Sequence, residues 1–406
     1  LGFLNILDHY HVLTLLRVQQ FDKEGFFMGQ DTFTRRVTRF AFAAVTAALI
    51  FGAQHAGAQL PPSTNLDSFA IKIFRVESGL YPFVQVYFRT FNQDMRPLVN
   101  LNERNMGVMV NGRSYDMAKM QYVVQTMRHR EEAIRSVLVI DCSKTMAGKP
   151  FEEALTAAAR YIDSKRTQDQ VAVLAVNDAT DGFEVVSNFE RDPDALGRRL
   201  ADVKCDANTT RLYDAIGAAM QMCGMASQGG VSTGDAEYIV SNSIVVFSDG
   251  KDEGSALQRE DLMTRISNLS VPIPIYSLAY SKVDASHLRN LEALSKNSFG
   301  IYYPLGEAFD RMQRCVEDVQ NILQSDYVLV FRAYQAVDGA KHPVKVGLEY
   351  PTGSGQMTYQ SAEFEAVEPP PMEKVLNAQN KIAERLKPLP DGDPYLRNPH
   401  VAGQEG

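Results

Sequence analysis

Between about residue 135 and residue 325 the chain alternates short apolar runs with stretches of helical period, and this rhythm restricts the fold most. "SVLVI" (136–140), "QVAVLAV" (170–176), "FEVVSNF" (183–189), "NSIVVFS" (242–248), "IPIYSLAYS" (273–281) and "SFGIYYPL" (298–305) read as strands. "PFEEALTAAARYID", "DPDALGRRLADV", "RLYDAIGAAMQMCGMA", "REDLMTRISNL", "ASHLRNLEALSKN" and "GEAFDRMQRCVEDVQNILQ" carry apolar residues three to four apart and read as helices. Strands separated by helices need crossover connections. The expected fold class is therefore α/β, a doubly wound, mostly parallel sheet with helices on both faces.

The flanks have another rhythm. From Asp67 to about Thr126, "FAIKIFRV" and "FVQVYFRTF" alternate at period two, and "VMVNGRSYDM" places Asn111-Gly112 between alternating residues, a strong hairpin signal. Four or five antiparallel strands with one wet face are expected there. After Ser325, "YVLVFRAYQ", "HPVKVGLEY" and "QMTYQSAEFEA" predict three more. Neither flank is long enough to bury a core alone, and together they match a small β-sandwich. Residues 63–130 and 326–366 are thus expected to form one antiparallel sandwich interrupted by the α/β unit at 134–325. Two separate β units are the alternative. The Pro- and Gly-rich tail, 367–406, predicts a flexible end with at most a short helix around 372–386.

The 406 residues are 45% hydrophobic and 22% charged, a soluble globular balance. The net charge of −8 and the lack of a Lys/Arg block argue against a nucleic-acid surface. Near the N-terminus, a basic stretch (35–39) precedes an apolar run (40–51) and "AGA" at 56–58. That order predicts a secretory signal peptide over 28–58, cleaved before Gln59, and hence an exported protein in the periplasm, at the cell surface or outside the cell. The apolar run falls short of the ~20 residues a membrane-spanning helix needs. Residues 1–27 precede Met28 and are expected to be a non-native extension. The four cysteines follow no C-x-x-C spacing, which argues against zinc. A Cys205–Cys223 disulfide and four free buried thiols are equally compatible with their placement.

In a doubly wound sheet, ligands sit at the C-terminal ends of the strands. Asp141 ends the first strand of the unit, in "VLVIDCSKTM", with Ser143 and Thr145 following at alternate positions. Asp249 ends another strand in "VVFSDGKD", and Thr210 opens a helix in "NTTRLYDAI". The topology gathers these two carboxylates and three hydroxyls on one sheet edge. All five are hard oxygen donors, and the set suits Mg²⁺ or Mn²⁺.

These three segments resemble those of a von Willebrand factor type A domain with its metal-ion-dependent adhesion site, and "DQVAVLAVND" is similar to that family's second strand. The resemblance spans roughly 134–325. It implies that Asp141, Ser143, Thr145, Thr210 and Asp249 hold the ion, directly or through water. The flanking strands resemble those of bacterial secreted proteins carrying this domain, and the interruption is similar to that in integrin β subunits. Lys144 stands where the family has Gly, Thr145 where it has Ser, and Asn208-Thr209 where Gly-Gly is frequent. Lys144, Thr209 and Asp252 would form the edge facing a partner.

Other chemistries lack their context. "GVSTG" (230–234) fits G-x-S-x-G, but no apolar strand precedes Ser232, so a serine hydrolase is a remote alternative. No phosphate-binding glycine motif is present. His129 and His287 are expected at the surface, and Tyr213 and Asp214 as packing and capping groups. The expected function is non-enzymatic: an exported binding module in which an acidic residue of a protein partner completes the coordination of the ion. A metal-independent envelope scaffold is the runner-up.

Overall fold

A computed structural model describes residues 69–227, 239–269, 271–280 and 286–388. The segments expected to be a non-native extension and a signal peptide lie outside these residues, as does the 230–234 segment. Among the described residues no helix is long and apolar enough to cross a membrane.

The central sheet holds six strands, β6 (Ala133–Asp141), β7 (Gln170–Val176), β8 (Phe183–Glu190), β9 (Ile239–Ser248), β10 (Ile275–Tyr280) and β11 (Tyr302–Gly306). Their spatial order is β11-β10-β9-β6-β7-β8, parallel throughout except for β8, which runs antiparallel at the edge. The order reverses between β6 and β9, and the C-terminal mouth of that crevice is where such sheets bind ligands.

Alternation along β6 explains the layering. Leu138 and Ile140 face a core shared with α1 (Lys149–Ser164), α2 (Pro193–Ala201) and α6 (Met312–Gln324). Val137 and Val139 face the opposite core, filled by α3 (Leu212–Ser227), α4 (Arg259–Asn268) and α5 (Ser286–Asn297). Local chemistry starts α2 where the sequence places it, whereas α6 begins at Met312, six residues later than its sequence pattern predicts. Asp192 caps α2 by accepting the Asp194 N–H at 3.0 Å, with Pro193 in the first helical position.

Eight further strands form two antiparallel sheets. One has the order β1-β2-β12-β5, from β1 (Ala70–Leu80), β2 (Phe83–Phe91), β5 (Tyr122–Thr126) and β12 (Tyr327–Arg332). The other has the order β14-β13-β3-β4, from β3 (Met106–Val110), β4 (Arg113–Tyr115), β13 (Lys341–Glu349) and β14 (Met357–Glu365). Asn111 and Gly112, at φ 49° and 79°, make the tight turn between β3 and β4 that their pairing requires. Val86, Phe88, Leu329, Phe331, Val108, Val346 and Leu348 meet between the two sheets in one core. The chain leaves this pair of sheets after β5 and returns at β12, which lies hydrogen-bonded between β2 and β5.

One expectation is corrected. The N-terminal strands do not present a wet face in the β1-β2-β12-β5 sheet, because Phe83, Tyr87, Val123, Val328 and Val330 on its outer side join the core beneath α6. β2 is apolar at both parities and is buried along its whole length. The short helix that the sequence allows in the tail is present among the described residues, which end at 388. α7 (Met372–Ile382) and the turn after it bury Val375, Ala378, Ala383 and Leu386 in that same core. Four small or medium apolar side chains at suitable spacing anchor the segment despite its prolines.

The two connections between the sandwich and the α/β unit are tied to each other. The Met127 N–H donates to the Asp326 carbonyl at 2.8 Å. Arg166 reaches back from the α1–β7 connection to the carbonyls of Arg130 and Glu132, at 3.2 and 2.9 Å, and pairs with Asp169. Asp169 in turn accepts the Ile134 N–H at 2.8 Å. Beneath them, Arg89 and Asp326 form a buried, two-pronged ion pair, with Arg89 Nε 2.6 Å from Asp326 Oδ1.

Candidate metal centre

β6 delivers Asp141 to the mouth of the crevice, where the side chain is fully buried. Its two oxygens have different partners. Oδ1 accepts the Ser143 N–H at 3.0 Å, and Oδ2 accepts the Ser248 hydroxyl at 2.7 Å. The first bond folds the chain back into a short turn, Lys144–Met146, and sets the Ser143 and Thr145 hydroxyls 2.9 Å apart. Ser143 is buried and Thr145 exposed, so the pair runs from the interior to the surface.

The second bond brings in the end of β9. Ser248 Oγ also accepts the Gly250 N–H at 3.0 Å, and Asp249 stands between them, half-buried, accepting the Lys251 N–H at 2.9 Å. Gly250 has φ +81°, and a Cβ there would lie 3.0 Å from the His287 carbonyl oxygen. The turn that aims Asp249 thus requires glycine, both for its left-handed backbone and for the approach of α5. Burial pushes the Asp141 carboxyl up to about 6, and the neighbouring Asp249 charge adds to this against the hydrogen bonds from Ser248 and Ser143.

The third segment lies along the first. Ser143 bridges Ala207, the Lys144 N–H donates to the Ala207 carbonyl at 2.9 Å, and the Ala207 N–H donates to the Cys142 carbonyl at 3.1 Å. Thr210 follows, buried, with its carbonyl accepting the Glu253 N–H. Asp141, Ser143 and Thr145 are thus joined by hydrogen bonds, Asp249 adjoins them through Ser248, and Thr210 is held beside them through the backbone.

Asp178 is a further residue of the site, outside the five proposed from the sequence. It lies just beyond β7 and accepts the N–H groups of Asn208, at 2.9 Å, and Thr209, at 3.0 Å, together with the Thr209 hydroxyl at 3.0 Å. These bonds hold its carboxyl down at about 2. Asp178 therefore positions the loop carrying Thr210. A carboxylate at the C-terminal end of a strand, in "LAVND", was the available signal.

The residues expected at a partner-facing edge have acquired structural partners. The Lys144 ammonium donates to Asn208 Oδ1 at 2.6 Å, extending the Asp178 network across the loop. Thr209 is engaged by Asp178. Asp252 caps α3, accepting the Tyr213 N–H at 3.0 Å and the Ser255 hydroxyl at 2.6 Å. Tyr213 is buried, and Asp214 holds the turn before α4 by accepting the N–H groups of Ala256 and Leu257. His129 is exposed and His287 half-buried. None of the four cysteines is joined in a disulfide among the described residues. Cys223 belongs to the α3 face of the sheet and Cys205 packs on the α1 face, so the sheet separates the pair whose bridging had been left open.

Among the described residues no three His, Cys, Asp or Glu side chains converge as a metal site. A cation here would therefore depend on hydroxyl oxygens as well as on Asp141 and Asp249. The donor set fits a hard divalent ion: two neighbouring carboxylates that repel each other, and three hydroxyls with lone pairs to offer. Soft metals find no thiolate there, because burial pushes the Cys205 thiol up to about 11 and it donates to the Ser143 carbonyl.

Residues 136–251 match the family model described as the von Willebrand factor type A domain, a module that commonly mediates protein interactions. Among solved structures, the chain is similar to a von Willebrand factor type A protein from Catenulispora acidiphila at 12% identity, over 77% of this chain and 76% of that one, with a TM-score of 0.40. It is similar to the SpRpn10 VWA domain at 15% identity, over 46% of this chain and 94% of that one, with a TM-score of 0.34. A third similarity is to three N-terminal domains of the type V pili tip protein Mfa5 from Porphyromonas gingivalis. There the identity is 13%, the coverage 46% of this chain and 27% of that one, and the TM-score 0.24. No curated protein matches the chain.

Proposed function

We propose that this protein is an exported, non-enzymatic binding module that recognises an acidic residue of a protein partner through a divalent cation. The observation that carries the reading is the junction of three loops at the β6/β9 crevice. There Asp141, Ser143 and Thr145 are hydrogen-bonded in series, and Asp249 adjoins them through Ser248. In this reading Asp141 and Asp249 supply the negative charge. Ser143, Thr145 and Thr210 supply neutral oxygens, and Asp178 keeps the Thr210 loop in place. A bound Mg²⁺ or Mn²⁺ would stay electrophilic toward an incoming carboxylate, because three of its five protein donors are neutral hydroxyls. Ser143 is not set up as a nucleophile, since its hydroxyl pairs with that of Thr145 rather than with a base.

Calorimetric titration of the purified chain with Mg²⁺ and Mn²⁺ tests this. Saturable binding by the wild type and its loss in Asp141→Ala are expected; equal heats from both proteins refute the reading. Once a partner is in hand, EDTA should abolish its binding while the far-ultraviolet circular dichroism stays unchanged.

A second reading is a metal-independent scaffold of the cell envelope. It is favoured by one observation: both oxygens of Asp141 already accept hydrogen bonds from the protein. Undiminished partner binding by Asp141→Ala would select it.

A further inference from the structure

A second site is built where the segment after α7 crosses the sandwich. Beyond α7, Arg385 donates to the Val124 carbonyl at 2.6 Å and the Lys387 N–H donates to the Met120 carbonyl at 3.0 Å. This strap closes a cavity of about 400 Å³ between the β4–β5 connection and the end of β12. Tyr115, Tyr334 and Leu386 supply its apolar wall, and Lys119, Arg332 and Lys387 supply three cations. None of the described residues lining it is acidic.

Arg332 is the unusual member. It is nine-tenths buried at the end of a strand, where its Nε and Nη2 both meet the Tyr334 hydroxyl. Nη1 is buried and has no hydrogen-bond partner among the described residues. A buried guanidinium normally has a carboxylate or several carbonyls to satisfy it, and leaving one unmatched is costly. The molecule follows that rule elsewhere, with Asp326 on Arg89 and Glu132 on Arg130. At Arg332 the described residues provide the guanidinium with only a phenol. Lys119 and Lys387, both exposed, are likewise without an ion pair among the described residues. Three cations with no counter-charge among the described residues, set in a half-enclosed pocket with two aromatic rings, form an environment complementary to an acid with an apolar body.

We propose that this cavity binds a small organic anion, its phosphate or carboxylate head paired with Arg332 and its body lying against Tyr115 and Tyr334. Lys119 and Lys387 add charge at the rim, attracting the anion and exchanging water for it. The site makes no use of the β6/β9 crevice and is independent of the function proposed above.

The test is calorimetry on the full chain at fixed ionic strength, with phenyl phosphate, benzoate and the neutral benzyl alcohol as probes. Saturable binding of at least one anion is expected, with no saturable heat from the alcohol. The tighter of the two anions identifies the head group as a phosphate ester or a carboxylate. Arg332→Met should abolish binding, and the double variant Lys119→Gln/Lys387→Gln should weaken it by about tenfold, as for loss of charge-assisted contacts. Should Arg332→Met fail to fold, the exposed double variant decides alone. Absence of saturable binding by either anion, wild-type affinity in the double variant, or equal affinity for benzyl alcohol would overturn the proposal.

Discussion

Asp141 faces two opposed demands, since a carboxylate must ionise to hold a cation but loses its hydration at the end of a buried strand. With its carboxyl raised to about 6 from an ordinary value of 3.8, the metal-free protein binds a proton there more tightly than the unfolded chain does. The sign follows by linkage. This group stabilises the fold fully below the unfolded value and loses that contribution, on the order of 3 kcal/mol, as the pH rises through 6. Cation binding should move the other way. Mg²⁺ or Mn²⁺ must displace the proton, so affinity at pH 5 should be about tenfold lower than at pH 7. Titrations across that range check this, and Asp141→Asn should bind too weakly to show any profile. Asp178 makes a separate prediction. Asp178→Ala removes the acceptor for Asn208, Thr209 and the Thr209 hydroxyl. Amide exchange at residues 208–210 should quicken and cation affinity should fall, although Asp178 is not among the proposed ligands. Unchanged exchange at those amides would show that the loop is held by other means.

At the scale of elements, the turn after β9 and the strap after α7 are the most exacting. Gly250→Ala combines a left-handed backbone with a Cβ 3.0 Å from a main-chain oxygen. It should cost about 1–3 kcal/mol by denaturant unfolding and misplace Asp249. α7 reads in sequence as a short helix in a Pro-rich end, because local composition reports solvation and not the groove waiting for it. Leu386 is buried beneath it, so Leu386→Ala should destabilise the whole protein by about 2–5 kcal/mol. A truly loose tail would leave the unfolding midpoint unmoved. The strands and helices of 135–325 were legible because each carries its own period, and so was the Asn111-Gly112 turn. The antiparallel direction of β8 was not, because period-two alternation is the same whichever way a strand runs.

For the whole molecule, the decisive contacts join segments hundreds of residues apart. Arg89 and Asp326 are both buried and bonded two-fold at the point where the α/β unit returns to the sandwich. Arg89→Met would leave the Asp326 charge unpaired and should cost about 3–5 kcal/mol. Arg89→Met with Asp326→Leu should recover much of that loss in the same unfolding assay. An additive loss in the double variant would mean that the two side chains act separately.

The sequence by itself determined the class of the central sheet and the strand-only character of the flanks, and it pointed to the five oxygen-bearing residues proposed to hold the ion. Each depends on local period, or on which residues fall at strand ends. The tertiary structure alone decided that β12 lies between β2 and β5, that Lys144 is bound to Asn208, and that Asp178 holds the Thr210 loop. It also decided that Arg332 lies buried without a counter-charge among the described residues. These outcomes depend on which distant groups meet and how much water is excluded when they do, and no local pattern records either.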